Sequence, residues 1–235
     1  MTQIFNCMMV ANGIMAMVFV MYHGMRRRII RGCVLMNSAF LLYWLDMIYT
    51  IPYIAVPLGW FEFIVLFQSR LTVYQRILFI GCWSLPVIWS LPRLTGDTAM
   101  LAISLCTSVD TFGNIVGKLV AAKYNRPVAW LATISPNKSY AGYAGSLVAG
   151  NICGYMLSHP YSTIQWNAFI VAAIIGDLFA SAVKRTYGIK SGRCTKHVYP
   201  YGGYEDFSQL MGSHGGVLDR TDSHILVIPL MVLYG

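Results

Sequence analysis

The sequence predicts an all-α, polytopic integral membrane protein with about eight transmembrane helices. Three observations predict it. Hydrophobic residues fill 57% of the 235 positions and charged residues only 11%, whereas a soluble domain carries about 25% charged residues. The mean hydropathy is +0.57. The apolar residues also fall in runs that approach the roughly 20 positions needed to cross a bilayer as a helix.

The first run covers residues 6–22 and is followed by Arg26, Arg27, Arg28 and Arg31. A signal peptide has its basic residues before the apolar run, so this run reads as a retained span. The second covers residues 33–51. Pro52 and Pro57 open the third, residues 53–67, after which come Arg70 and Arg76. The fourth, residues 77–91, should be bent or broken at Pro86. The fifth covers residues 98–116, the sixth 143–157 and the seventh 165–183. The last, residues 225–234, is short. No polar linker divides the chain, so residues 1–97 and 98–235 read as an N-terminal helical region and a C-terminal region of one continuous membrane domain.

Net charge is +8, from 17 basic and 9 acidic residues. An alternating topology with the N-terminus outside puts the basic clusters at 26–31, 70–76, 118–138 and 184–220 on the cytoplasmic side, Arg93 being the main exception. That explains the charge without a nucleic-acid partner, and a basic cytoplasmic face suits anionic membrane lipids and nucleotides. Cys7, Cys33, Cys82, Cys106, Cys153 and Cys194 form no CxxC pair, which argues against a zinc site or a disulfide framework. Five of the nine acidic residues, Asp177, Glu205, Asp206, Asp219 and Asp222, lie in the final third. Asp46 and Glu62 are isolated in apolar runs, where a carboxylate usually faces a partner or a wet cavity.

Four segments carry candidate chemistry. In Gly176-Asp177-Leu178-Phe179-Ala180-Ser181-Ala182-Val183-Lys184-Arg185, helical spacing puts Asp177, Ser181 and Lys184 on one face. That face offers a metal-binding carboxylate, a hydroxyl and a phosphate-binding ammonium; a helix end with snorkelling Lys and Arg is the plainer account. In His214-Gly215-Gly216-Val217-Leu218-Asp219-Arg220-Thr221-Asp222, the two aspartates suit Mg²⁺, and the glycines allow close approach to a phosphate. Arg220 suits a bidentate phosphate clamp, and a turn followed by a helix cap is the plainer account. Ser135-Pro136-Asn137-Lys138-Ser139 enters a small-residue helix, where Lys138 and Ser139 would favour a phosphate; an interfacial loop with small residues for helix packing is the equal alternative. Asp110-Thr111-Phe112-Gly113-Asn114-Ile115-Val116-Gly117-Lys118 places a carboxylate, an amide and an ammonium near one membrane boundary; close helix packing through Gly113 and Gly117 is the plainer account.

In this order the four segments resemble the phosphatidate cytidylyltransferase family. Residues 110–118 are similar to its D-x-x-A-Y-x-x-G-K/R, residues 135–145 to S-P-K-K-T-W-E-G-x-x-G and residues 176–185 to G-D-L-x-E-S-x-x-K-R. Residues 214–222 match H-G-G-x-x-D-R-x-D in full. Ala141 and Ala180 stand where the family usually has Glu. Lys190 keeps its spacing after Arg185, but Ser191 replaces an Asp, and D-F-S returns only at Asp206-Phe207-Ser208, beyond a basic, aromatic insertion at residues 191–204. Gly212 and Ser213 replace the usual Pro-Gly.

The resemblance implies an integral membrane enzyme with its active site facing the cytoplasm, using CTP and phosphatidate to make CDP-diacylglycerol and pyrophosphate. It implies Mg²⁺, alone or with a second cation, on Asp177, Asp219 and Asp222, with Asp206 assisting. Lys138, Lys184, Arg185 and Arg220 would hold phosphates, Ser181 and His214 would orient groups, and Asp110, Lys118, Ser135, Ser139, Lys190, Gly215 and Gly216 would complete the substrate site. It also implies a homodimer. Competing readings are a related CTP-dependent enzyme or kinase acting on an isoprenoid lipid, a catalytically decayed lipid-binding or structural protein, and a small transporter using Asp46, Glu62 and Asp110.

Overall fold

The computed structural model describes residue 34 and residues 37–67, 69–124, 135, 138–157, 160–187, 207 and 216–235, without the side chains of 121–124. Among them every regular element is a helix and none is a strand. A helical stretch at residues 37–44 precedes α1, Thr50–Phe61, which runs directly into a π-helical turn, Glu62–Leu66. Next come α2, Val73–Ser90, and a 3-10 turn, Leu91–Arg93. Then follow α3, Gly96–Tyr124, α4, Tyr140–Leu157, and α5, Thr163–Tyr187. The chain ends in a single turn, α6, Leu218–Thr221, and α7, His224–Tyr234.

Local chemistry sets these boundaries. Thr72 and Gln75 form a reciprocal capping box at the start of α2, which satisfies two of the amide donors left free at a helix start. Ser162 and Gln165 repeat the device ahead of α5. Asp46 adopts a φ of 54°, a left-handed conformation that an aspartate tolerates better than most residues. The expected segment at 33–51 is therefore not one continuous helix: it turns after residue 44 and restarts at Thr50. Pro86 does not break α2, which continues through it, as helices in apolar surroundings often do.

Among the described residues, two helices are long and apolar enough to cross a bilayer: the Gly96–Val120 part of α3, and α5. At 1.5 Å per residue α5 is about 37 Å long. Thr50–Leu66 and His224–Tyr234 are apolar but shorter. The expected span at residues 6–22 lies outside the described residues, as does the insertion at 191–204.

Three apolar clusters knit the elements together. Leu105 and Val109 of α3 meet Trp166, Phe169 and Ile170 of α5 and Val227 and Met231 of α7. Phe63 and Phe67 pack with Ile80 of α2, Ala180 and Val183 of α5, Phe207 and Leu218. Ala39 and Ile48 pack on Ala99 and Met100, so residues before and after position 97 share cores. The α3–α4 contact runs through small residues: a Cβ on Gly142 would lie 2.9 Å from the Gly113 carbonyl oxygen, and one on Gly145 would lie 2.7 Å from Val116 Cβ. The packing role expected for Gly113 and Gly117 is therefore the one the structure shows.

The bundle has two distinguishable ends. At one, the Arg70 N–H donates to the Tyr187 carbonyl at 2.8 Å. At the other, the Tyr161 hydroxyl donates to the Met231 carbonyl at 3.2 Å, and Leu94 joins the same cluster.

Candidate active site

Asp177 lies ten residues before the end of α5, about 15 Å along the axis from Tyr187. Gly176 lets the last part of the chain reach that depth. A Cβ there would fall 2.5 Å from the Asp222 carbonyl oxygen and 3.0 Å from Ser223 Cα. Four carboxylates and three cations gather around this crossing. Lys138, just before α4, forms an ion pair and hydrogen bond with Asp177. Lys184 pairs with Asp219 at 2.7 Å, their side chains 7% and 4% exposed. Asp110 of α3 lies within electrostatic reach of Asp177, Lys138 and Arg220, and Ser223 is its hydrogen-bonding neighbour. Asp222 is buried, accepts the Ser223 N–H at 2.8 Å, and senses Asp177, Asp110, Lys184 and Asp219.

Burial alone would lower the Lys138 pKa, but Asp177 and Asp110 outweigh it and hold it above the ordinary lysine value. Lys138 is therefore cationic at neutral pH. Its ammonium also lies 5.9 Å from the centre of the Tyr143 ring, and that of Lys184 lies 5.1 Å from Phe207.

Asp219 is already well occupied. Besides Lys184 it accepts the Gly216 N–H at 2.8 Å and the Phe207 N–H at 2.9 Å. Its carboxylate fastens the turn before α6 to the end of α5. Ser181 is buried one turn beyond Asp177, and Arg185 is half-buried next to Lys184. Ser139 caps α4 by accepting the Gly142 N–H at 3.1 Å, and the buried Ser135 accepts the Lys138 N–H through its carbonyl at 3.1 Å. Lys118 is exposed on α3, eight residues beyond Asp110. Asp206, Lys190, His214 and Gly215 lie outside the described residues.

Among the described residues, no three His, Cys, Asp or Glu side chains converge closely enough to hold a metal ion by themselves. Mg²⁺ needs fewer, since it commonly takes one or two carboxylates together with waters and substrate phosphates. Two carboxylates at the crossing, Asp177 and Asp222, repel each other and would meet that smaller requirement.

A cavity of about 390 Å³ opens beside this cluster. Its apolar wall includes Ile51, Trp60, Ile80 and Trp83, and its polar end is made by Asp110, Thr111, Arg220 and His224. Sequence reasoning missed two residues of the region. Ser223 carries no motif signal. Glu62 did carry one, a lone acid in an apolar run, but not the location of its partner: its Oε2 accepts the Leu218 N–H at 2.9 Å.

Fold and site define a helical, strongly apolar chain with a recessed cluster of paired charges. The chain belongs to the Cytidylyltransferase family, whose model it matches over residues 2–235. It is 31% identical over 166 residues to a phosphatidate cytidylyltransferase of Synechocystis sp., covering 66% of this chain and 48% of that protein. It is 30% identical over 161 residues to the phosphatidate cytidylyltransferase of Rickettsia prowazekii, covering 63% and 62%. For the one from Staphylococcus saprophyticus the identity is 31% over 130 residues, with 52% and 42% covered. The chain thus spans about half the length of the curated relatives it matches. No solved structure matches it.

Proposed function

We propose that this chain transfers a cytidylyl group from CTP to phosphatidate, making CDP-diacylglycerol and pyrophosphate. The observation that carries the reading is the juxtaposition of the charged cluster with the cavity of about 390 Å³. A lipid phosphate needs an apolar wall for its chains beside a polar end for its head, and the cavity offers both. The family membership and the names of the relatives support the same reaction.

In the reaction, a phosphate oxygen of the lipid forms a bond to the α-phosphorus of CTP. The bond from that phosphorus to the oxygen bridging to the β-phosphate breaks, and pyrophosphate leaves with the electron pair. Such transfers depend mainly on positioning and charge neutralisation. Lys138, Lys184, Arg185 and Arg220 bind and neutralise phosphate oxygens. Lys138 and Lys184 are kept charged and aimed by Asp177 and Asp219. Asp177 and Asp222, with Asp219, would hold Mg²⁺, alone or with a second cation, which when bound supplies further neutralisation of phosphate charge. Ser181 orients groups in the cleft, and the family resemblance gives His214 the same orienting role and Asp206 an assisting one.

The reading extends to the whole protein as a polytopic membrane homodimer of about eight spans per chain, with the site open to the cytoplasm. The contact of Arg70 with Tyr187, at the basic end of α5, supports that orientation.

Purified protein in detergent, given CTP, phosphatidate and Mg²⁺, tests the reaction. CDP-diacylglycerol and pyrophosphate should appear together and disappear with EDTA. Tight CTP binding without product would overturn phosphatidate as the acceptor, and an isoprenoid lipid competitor would then be the next substrate. Neither CTP binding nor product from folded protein would overturn the enzyme reading in favour of a lipid-binding protein.

A further inference from the structure

Glu62 is fully buried among aromatic and aliphatic side chains. A buried carboxylate is costly unless hydrogen bonds and nearby charges compensate it. Its compensation comes from the far end of the chain: Oε2 accepts the Leu218 N–H at 2.9 Å, across 156 positions. The opposing backbone is shaped around it. A Cβ on Gly216 would collide with the Glu62 carboxylate, so a larger residue at 216 would have to displace that carboxylate. Leu218 then closes over Gly59, one turn back on α1, where a Cβ would stand 3.0 Å from Leu218 Cδ2.

Glu62 is itself held firmly. It opens the π-helical turn Glu62–Leu66, a distortion that often marks functional positions. Arg76 fixes the exit of that turn, donating to the carbonyls of Ile64, Phe67, Ser69 and Leu71 at 2.9–3.1 Å. Asp219 in turn holds the Gly216 and Phe207 N–H groups. Two carboxylates therefore hold the turn at Gly216–Leu218, Glu62 at the Leu218 N–H and Asp219 at the Gly216 N–H, and the turn leads into Asp219, Arg220 and Asp222.

We propose that Glu62 is a positioning residue for the Gly216–Asp222 segment. Through the Leu218 N–H and the bare face of Gly216, it fixes the turn that delivers Asp219, Arg220 and Asp222 to the charged cluster. Glu62 touches no reacting atom. The consequence for turnover rests on the proposed cytidylyl transfer; the consequence for the turn does not.

The experiment uses the full chain in detergent as wild type, Glu62→Ala, Glu62→Gln, Gly216→Ala and the double variant Glu62→Ala/Gly216→Ala. Hydrogen exchange at the Leu218 amide is measured without substrate. It should be faster by about tenfold or more in Glu62→Ala, the size of losing one hydrogen bond to a charged acceptor. Glu62→Gln keeps the volume and one acceptor oxygen, so its exchange should be intermediate, and it remains informative if the alanine variant does not fold. Gly216→Ala should match Glu62→Ala. The double variant should be no worse than Glu62→Ala alone, because the clash has gone.

Per folded molecule, kcat should drop about tenfold in Glu62→Ala and recover largely in Glu62→Gln, with KM for CTP nearly unchanged. A carboxylate that served stability alone would shift unfolding and leave kcat of the folded fraction intact. Unchanged Leu218 exchange in both Glu62 variants, or wild-type kcat in folded Glu62→Ala, overturns the proposal. If wild-type protein makes no product, the transfer reading fails separately, and the exchange measurements alone decide the role of Glu62.

Discussion

Lys184 and Asp219 meet at 2.7 Å with almost no solvent around them, so the two charges depend on each other. Removing one partner of such a pair costs about 3–5 kcal/mol, because the other is left buried and uncompensated; replacing both can be nearly neutral. Lys184→Met should therefore lower the unfolding midpoint markedly and abolish turnover. Lys184→Met/Asp219→Asn keeps an oxygen for the Gly216 and Phe207 N–H groups, so it should regain most of the stability while remaining inactive. Unfolding followed by tryptophan fluorescence, alongside a CDP-diacylglycerol assay, separates the two effects. Equal loss of stability in the single and double variants would mean that charge pairing is not what holds this contact. The sequence offered metal binding and helix capping as roles for Asp219. Spacing alone could not decide between them, since Phe207 and Lys184 reach it from other parts of the chain.

The α3–α4 pair carries the argument at the level of elements. Its approach is set by Gly113, Gly117, Gly142 and Gly145 rather than by side-chain volume, and Ser146 Oγ bridges it by donating to the Val109 carbonyl at 2.8 Å. A methyl on Gly142 meets the Gly113 backbone oxygen at 2.9 Å, and backbone cannot rotate aside. Gly142→Ala should cost about 1–3 kcal/mol, the usual penalty of overpacking, and should disturb Lys138, which lies just before the same helix. Gly81→Ala is the contrast: nothing stands within 4 Å of its Cβ, and alanine is favoured over glycine inside a helix by about 0.8–1 kcal/mol. Unfolding midpoints should move in opposite directions, and equal shifts would sink the packing account. The small-residue spacing made this contact legible in the sequence, as the apolar runs made the helix centres legible. The boundaries were less so, because they depend on the Thr72–Gln75 and Ser162–Gln165 boxes and on the turn at Asp46.

On the scale of the whole molecule, motifs far apart in the chain converge because Gly176 admits the Asp222–Ser223 backbone against the middle of α5. The motifs were readable in order; that Glu62, from the N-terminal helical region, would join them was not, since a lone acid does not name its partner. The same packing gives the bundle two distinct ends. Arg70 lies against Tyr187, whereas the segment after Arg93 joins Tyr161 and Met231 at the opposite end. The cytoplasmic side attracts the basic loops, so the Arg70 end should face the cytoplasm. In a cysteine-free background, Ser162→Cys in intact cells should react with a membrane-impermeant maleimide. Arg70→Cys should react only after permeabilisation. The reverse pattern would invert the molecule and place the site away from cytoplasmic CTP. Labelling of both positions from outside would mean that α5 does not cross the bilayer, despite its length of about 37 Å.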